Sequence, residues 1–167
     1  GTYSVFLAPR VAAMATAQLT LVNAVGGALS GGGATQSFAT TVPQQHGYFT
    51  FSATAGDDLG FATTNLVLTP STPNYVRLWV SPPGGGNALV SGASCAVTST
   101  PGCAFALLNV PTTGTYNVTV ESMGQSTMTF DLTLSPDVTG ALTFGTPLGV
   151  ALDVPGEEAW LSLTATG

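Results

Sequence analysis

Gly1-Thr2-Tyr3-Ser4-Val5 returns as Gly114-Thr115-Tyr116-Asn117-Val118, an offset of 113 residues (114 minus 1). The match runs on past the motif. Ala17-Gln18-Leu19-Thr20-Leu21 answers Phe130-Asp131-Leu132-Thr133-Leu134, and Val25-Gly26-Gly27-Ala28-Leu29 answers Val138-Thr139-Gly140-Ala141-Leu142. After a one-residue gap, Val42-Pro43 answers Val154-Pro155 and Ser52-Ala53-Thr54 answers Thr164-Ala165-Thr166. The chain therefore holds one whole repeat and about half of another. This limits the fold strongly, because repeated units bury their faces against their neighbours.

Loops set the phase of the repeat. Pro136-Asp137-Val138-Thr139-Gly140 reads as a junction, and Asn23-Ala24-Val25-Gly26-Gly27 is its counterpart. Residues 25–137 then form a complete module, of a size that can bury its own core. Residues 1–24 are expected to be the terminal strands of a preceding repeat, and residues 138–167 the first strands of a following one. There is no initiator Met, so the chain reads as a mature or excised segment whose export must be inferred.

Each repeat is written in strands. Tyr3-Ser4-Val5-Phe6-Leu7, Tyr116-Asn117-Val118-Thr119-Val120 and Tyr75-Val76-Arg77-Leu78-Trp79-Val80 alternate in the period of a half-buried strand. Gly31-Gly32-Gly33, Ser81-Pro82-Pro83-Gly84-Gly85-Gly86 and Thr100-Pro101-Gly102 break the pattern as turns. No stretch has helical period. The expectation is an all-β fold, an antiparallel jelly-roll-like or Ig-like sandwich.

Charged residues are only 6% of the chain, against roughly 25% in ordinary soluble domains. There is no lysine, and the only arginines are Arg10 and Arg77. A net charge of −6 argues against nucleic acid as a partner, since phosphates call for Lys and Arg. It disfavours anionic membrane surfaces too. No run approaches the ~20 apolar residues of a membrane helix, so membrane insertion is not expected. A Thr-rich, lysine-free surface suits an extracellular location. It also leaves sheet edges without the lysines that usually block edge-to-edge pairing.

The residues also resemble a family. Thr139-Gly140-Ala141-Leu142-Thr143-Phe144-Gly145, residues 160–167, the Cys95/Cys103 pair and Pro111-Thr112-Thr113-Gly114-Thr115-Tyr116 are similar to bacterial pre-peptidase C-terminal repeats. The resemblance covers nearly the whole chain. It implies jelly-roll-like modules of large secreted and surface proteins, accessory to proteases, toxins and adhesins and without chemistry of their own.

Individual residues carry less. Cys95 and Cys103, either side of Thr100-Pro101-Gly102, are expected to form a disulfide rather than remain reduced and buried. His46, the one histidine, aligns with Glu158 in the second repeat and reads as a turn residue rather than a catalytic base. Asp57 and Asp58, with Asp137 or Asp153, are the candidate calcium ligands. They lack an Asp-x-Asp-x-Asp run, so solvated turn aspartates are the preferred reading. No other metal or cofactor is expected. Tyr48 and Trp160, and Tyr3 and Tyr116, occupy matching positions and read as core. Tyr75 and Trp79 are the candidate sugar-stacking patch, although core packing is favoured there as well. Asn117-Val118-Thr119 is a sequon within a strand.

No nucleophile, base and orienting group assemble from one histidine and scattered acids, so an enzyme is not expected. The leading reading is a structural subunit of an extracellular bacterial filament or surface fibre. It would join head-to-tail by strand complementation with copies of itself, or with adjacent repeats of one polypeptide. Its assembly strands would carry Tyr3, Val5, Leu7, Leu19, Leu21, Leu142, Val154, Trp160 and Leu163. The alternative is an accessory module of a secreted enzyme, toxin or adhesin that binds a glycan or cell-wall polymer.

Overall fold

The computed structural model describes residues 1, 2, 4–6, 14, 16–98 and 102–165. The described residues contain no helix. Nine strands build the main body: β1 (Val25–Ala28), β2 (Gln36–Ala39), β3 (Gly47–Ala53), β4 (Leu59–Thr69), β5 (Tyr75–Ser81), β6 (Val90–Ala96), β7 (Gly102–Leu107), β8 (Gly114–Ser122) and β9 (Thr127–Pro136). One sheet has the order β1-β3-β8-β5-β6 and the other β2-β9-β4-β7. They form an all-β sandwich, as the alternation requires.

The core lies between the sheets, because alternate residues of each strand point inward. β5 shows it most plainly. Val76, Leu78 and Val80 are buried, while Tyr75, Arg77, Trp79 and Ser81 are not. Phe49 and Phe51 from β3 meet Phe130 and Phe61 from the facing sheet, with ring centroids 6.0 and 5.3 Å apart. Tyr116 is fully buried, and its hydroxyl donates to the Thr112 carbonyl at 2.6 Å. That bond satisfies the one polar atom the ring takes inside.

Cys95 and Cys103 are bonded, with Cα atoms 5.6 Å apart. The bond ties β6, at the edge of one sheet, to β7, at the edge of the other. The two edges are thereby clamped across the core.

Only Asp137 separates β9 from β10 (Val138–Leu142), which pairs with β11 (Ala159–Leu163) in a sheet of its own. The pair is parallel, Val138 opposite Ala159 and Leu142 opposite Leu163. β1 and β3 are parallel in the same way, Val25 opposite Gly47. Local bonds repeat as well. Val25 N–H donates to the His46 carbonyl at 3.0 Å, and Val138 N–H to the Glu158 carbonyl at 2.7 Å. Thr41 N–H donates to Gln45 Oε1 and Asp153 N–H to Glu157 Oε2, both at 2.8 Å. The sequence repeat is thus a repeat of backbone geometry. Parallel pairing in these two places departs from the expected antiparallel sandwich. For β1 and β3 it arises because the chain crosses to β2 in the other sheet between them, and so re-enters in the same direction.

Candidate functional site

Equivalent strands in the two repeats differ in what covers them. In the main body Phe49 and Phe51 are 0% and 2% exposed, sealed by β8 and β9. Their counterparts Leu161 and Leu163 are 37% and 50% exposed. Leu142, counterpart of the buried Leu29, is also uncovered. β11 therefore presents a row of leucines where β3 presents a finished core.

The missing cover has a match in sequence at residues 1–24, the counterpart of β8 and β9. Val118 and Leu132 are both 0% exposed, while their counterparts Val5 and Leu19 are 80% and 65% exposed. Leu21, which answers the buried Leu134, is also fully open. The described residues before β1 form no strand in the free chain, although strands are expected there from the sequence. None of the described residues offers a β3-like partner there, and a lone strand cannot satisfy its own backbone. Tyr3 and Leu7 lie outside the described residues. Residues 148–152, counterpart of β2, likewise form no strand. β2 pairs only with β9, and among the described residues no β9-like strand lies beside its counterpart.

The two unfinished regions leave the main body at opposite ends of β3. Gln45 Nε2 donates to the Asn23 carbonyl at 2.5 Å, beside the start of β3. Asp137 N–H donates to the Asp58 carbonyl at 3.1 Å, beyond the turn that ends β3. β3 has seven residues, so the exits are about 23 Å apart along it.

β10 and β11 are held against the main body by close backbone contact. A Cβ placed on Gly60 of β4 would lie 1.8 Å from the Gly156 carbonyl oxygen. Gly156 itself has φ of 86°, a conformation that favours glycine. Val154, expected among the assembly residues, instead packs on Gly33 of the same chain. The contact became visible only once the turn at residues 154–157 was placed.

An open cleft of about 410 Å³ sits at the junction, lined in part by Asp57, Asp58 and Asp137. Asp57 Oδ2 accepts from Thr54 N–H at 2.7 Å, and Asp58 Oδ1 from Asn109 N–H at 2.6 Å. Both aspartates thus pin turns. Neither Asp137 oxygen has a hydrogen-bond partner, and both are shielded from solvent. Burial pushes this carboxyl above its ordinary range. The Glu158 backbone and Trp160 indole lower it again, although neither reaches hydrogen-bonding geometry, and Asp58 and Glu157 add repulsion. Asp153 is exposed near β11's turn. Among the described residues, no group of three His, Cys, Asp or Glu side chains is placed to hold a metal ion.

His46 is exposed and shares a shallow cleft with Glu121 and Ser122. The Ser122 hydroxyl donates to the Gly124 and Ser126 carbonyls at 3.3 and 3.2 Å, so it is committed to its own turn. Tyr48 and Trp160 are not core residues, as the sequence suggests, but 48% and 46% exposed. The inward phase belongs to Phe49 and Phe51 and to Leu161 and Leu163, and period 2 sends their neighbours outward. Tyr48 uses its hydroxyl there, donating to Asn117 Oδ1 at 2.8 Å. Tyr75 and Trp79 also face outward rather than packing in the core, with the Arg77 guanidinium 5.9 Å from the Tyr75 ring centroid.

Sequence reasoning singled out Leu163 but passed over Leu161 and Phe6, which are exposed as well. The signal was present. Leu161 aligns with Phe49, in phase with Leu163, and Phe6 aligns with Thr119 of β8.

No protein-family model matches the chain, and no curated protein matches it. Among solved structures, it is similar to the pre-peptidase C-terminal domain of a collagenase from Bacillus anthracis. The identity is 11%, covering 69% of this chain and 99% of that one, with a TM-score of 0.47. It is also similar to PliG of Aeromonas hydrophila, a periplasmic inhibitor of g-type lysozyme. Here the identity is 16%, covering 68% of this chain and 97% of the other, with a TM-score of 0.44. The first of these two is a domain of the family that the sequence resembles. At these identities the likeness concerns the arrangement of strands, and no argument about function rests on it.

Proposed function

We propose that this chain is a structural subunit of an extracellular filament or surface fibre, joined head-to-tail by strand complementation and without enzymatic activity. One observation carries the reading. β10 and β11 reproduce β1 and β3 in register but leave the inner leucines bare. Residues 1–24 hold the sequence that covers that face in the complete module. Burying such a row is favourable by roughly 25 cal/mol per Å² of apolar surface. An isolated two-stranded sheet gains little of this. Exits at opposite ends of β3 make the contact head-to-tail, and a head-to-tail contact that does not close gives a filament.

Negative-stain microscopy and sedimentation of the purified chain test it. Filaments are expected, and a chain lacking residues 1–22 is expected to stay monomeric. Unchanged polymerisation of the truncated chain would remove residues 1–24 from the joint. A full chain that stays monomeric, beside a two-repeat polypeptide with a sealed joint, would show that one long polypeptide supplies the strands.

The outward Tyr75, Arg77 and Trp79 favour a second reading, an accessory module that binds a neutral glycan by stacking. Trp79→Ala would then abolish retention on insoluble polysaccharide while leaving the fold intact. If the wild-type chain is not retained either, this reading fails.

A further inference from the structure

The main body fixes how two copies should meet, because it contains the finished version of the same contact. In it, β3 and β8 run antiparallel with Phe49 opposite Val118, Thr50 opposite Asn117 and Tyr48 opposite Thr119. β11 stands where β3 stands, and residues 1–24 carry the sequence of β8 and β9.

Resting on the assembly reading above, we infer that the joint is a composite module with one register. Leu161 of one copy lies opposite Val5 of the next, Ser162 opposite Ser4 and Trp160 opposite Phe6. The inner side of this pairing puts Val5 beside Leu161, as Val118 flanks Phe49. The outer side brings together Trp160 and Phe6, both exposed in the free chain. Directly opposed aromatics on one face of a sheet stabilise it, so the pair reinforces the register.

The second layer follows from the second pairing of the main body. β2 pairs with β9, Ser37 opposite Asp131. The counterpart of Asp131 is Gln18. Residues 148–152 therefore become a strand only when residues 17–21 of the next copy arrive. Val150 and Leu152 on that segment are exposed until then. The segments paired here supply five strands of the composite module. Three strands lie in one layer and two in the other. Gly156, seated on Gly60, sets this half-sandwich against β4 of its own chain.

Cysteine cross-linking reads the register directly. Chains carrying Ser4→Cys and Ser162→Cys are mixed and oxidised, with Thr2→Cys and Ser162→Cys as the displaced control. Directly opposed residues lie within disulfide reach, while those two positions off do not, so at least a ~10-fold excess of dimer is expected for the first mixture. A second readout does not depend on cysteine. With Trp79→Phe, the indole of Trp160 reports alone, and its emission should move to shorter wavelength on assembly. Phe6→Ala should reduce that shift. Filaments whose cross-links favour the displaced pair, or whose Trp160 emission is unchanged on assembly, would overturn this register and leave self-assembly standing. Absence of both filaments and cross-links would overturn the two together.

Discussion

β3 and β11 are the same strand in two states of completion. Each runs parallel to the strand that opens its repeat, and each carries inward apolar residues at alternate positions. β3 is paired on its other side by β8 and roofed by β9 and β4. β11 has neither neighbour, and its leucines stay in solvent. The comparison teaches that backbone pairing and core burial separate cleanly here. The first needs only the local repeat, and the second needs distant strands such as β8 and β9, whose Val118 and Phe130 lie 69 and 81 positions beyond Phe49, or strands from another molecule.

The sharpest way to break the comparison is to truncate the same position in both repeats. Phe49→Ala should destabilise the main body by about 3–5 kcal/mol in chemical denaturation, as large-to-small core changes do. Leu161→Ala should change that transition by less than about 0.5 kcal/mol, since a surface position has little to lose. Its effect should fall on assembly instead. Equal effects on denaturation would mean that β11 is already covered in the free chain.

Removing the clamp between β6 and β7 comes next. Cys95→Ser with Cys103→Ser should cost about 2.5 kcal/mol, from the loop closed by residues 95 to 103. The loss belongs to the main body alone, so hydrogen exchange in β10 and β11 should not change. Faster exchange there would show that the two regions unfold together.

Gly60→Ala acts on the seam. Its methyl group would collide with the Gly156 carbonyl, at a cost of about 1–3 kcal/mol for forced repacking. The expected outcome is faster proteolysis of residues 138–165 with the main body intact. Unchanged proteolysis would mean that the seam does not hold β11 in place.

The smallest effect concerns acidity. The Asp137 carboxyl is raised above its ordinary value, chiefly by burial. A folded state that prefers the protonated acid is favoured below the unfolded value and loses that advantage as pH rises through the folded one. The seam should therefore be firmest below the ordinary aspartate range and loosen as pH rises above it, and Asp137→Asn should flatten the dependence. Exchange at Val138 and Glu158 measured across pH would check it. A seam that tightens with rising pH would contradict the raised value.

Much of this was written in the chain. Alternation in Tyr75–Val80 marked β5 as a half-buried strand, and the Gly-rich and Pro-rich breaks gave the turns. The short spacing of Cys95 and Cys103 gave the disulfide. What the sequence hid were choices made at long range. Tyr48 and Phe49 are both aromatic, and only pairing with β8 decides which one faces the core. Asp57 and Asp58 read as turn aspartates or, less readily, as ligands, and the backbone amides they accept from show only in the structure. Tyr75 and Trp79 share a face that could have been either side of a sheet. The strand character of residues 1–24 is equally long-range, because its partner is not adjacent in the free chain.

The exits at opposite ends of β3 also bear on how a fibre of such units would respond to pulling. A load along the fibre would run along β3 and β11 rather than across them. Strands loaded lengthwise must give up their cross-strand bonds together, whereas strands peeled from one end give them up singly. The joint would therefore work in shear. Single-molecule stretching of a cross-linked pair should give one abrupt rupture, and a gradual low-force extension would mean that the strands peel.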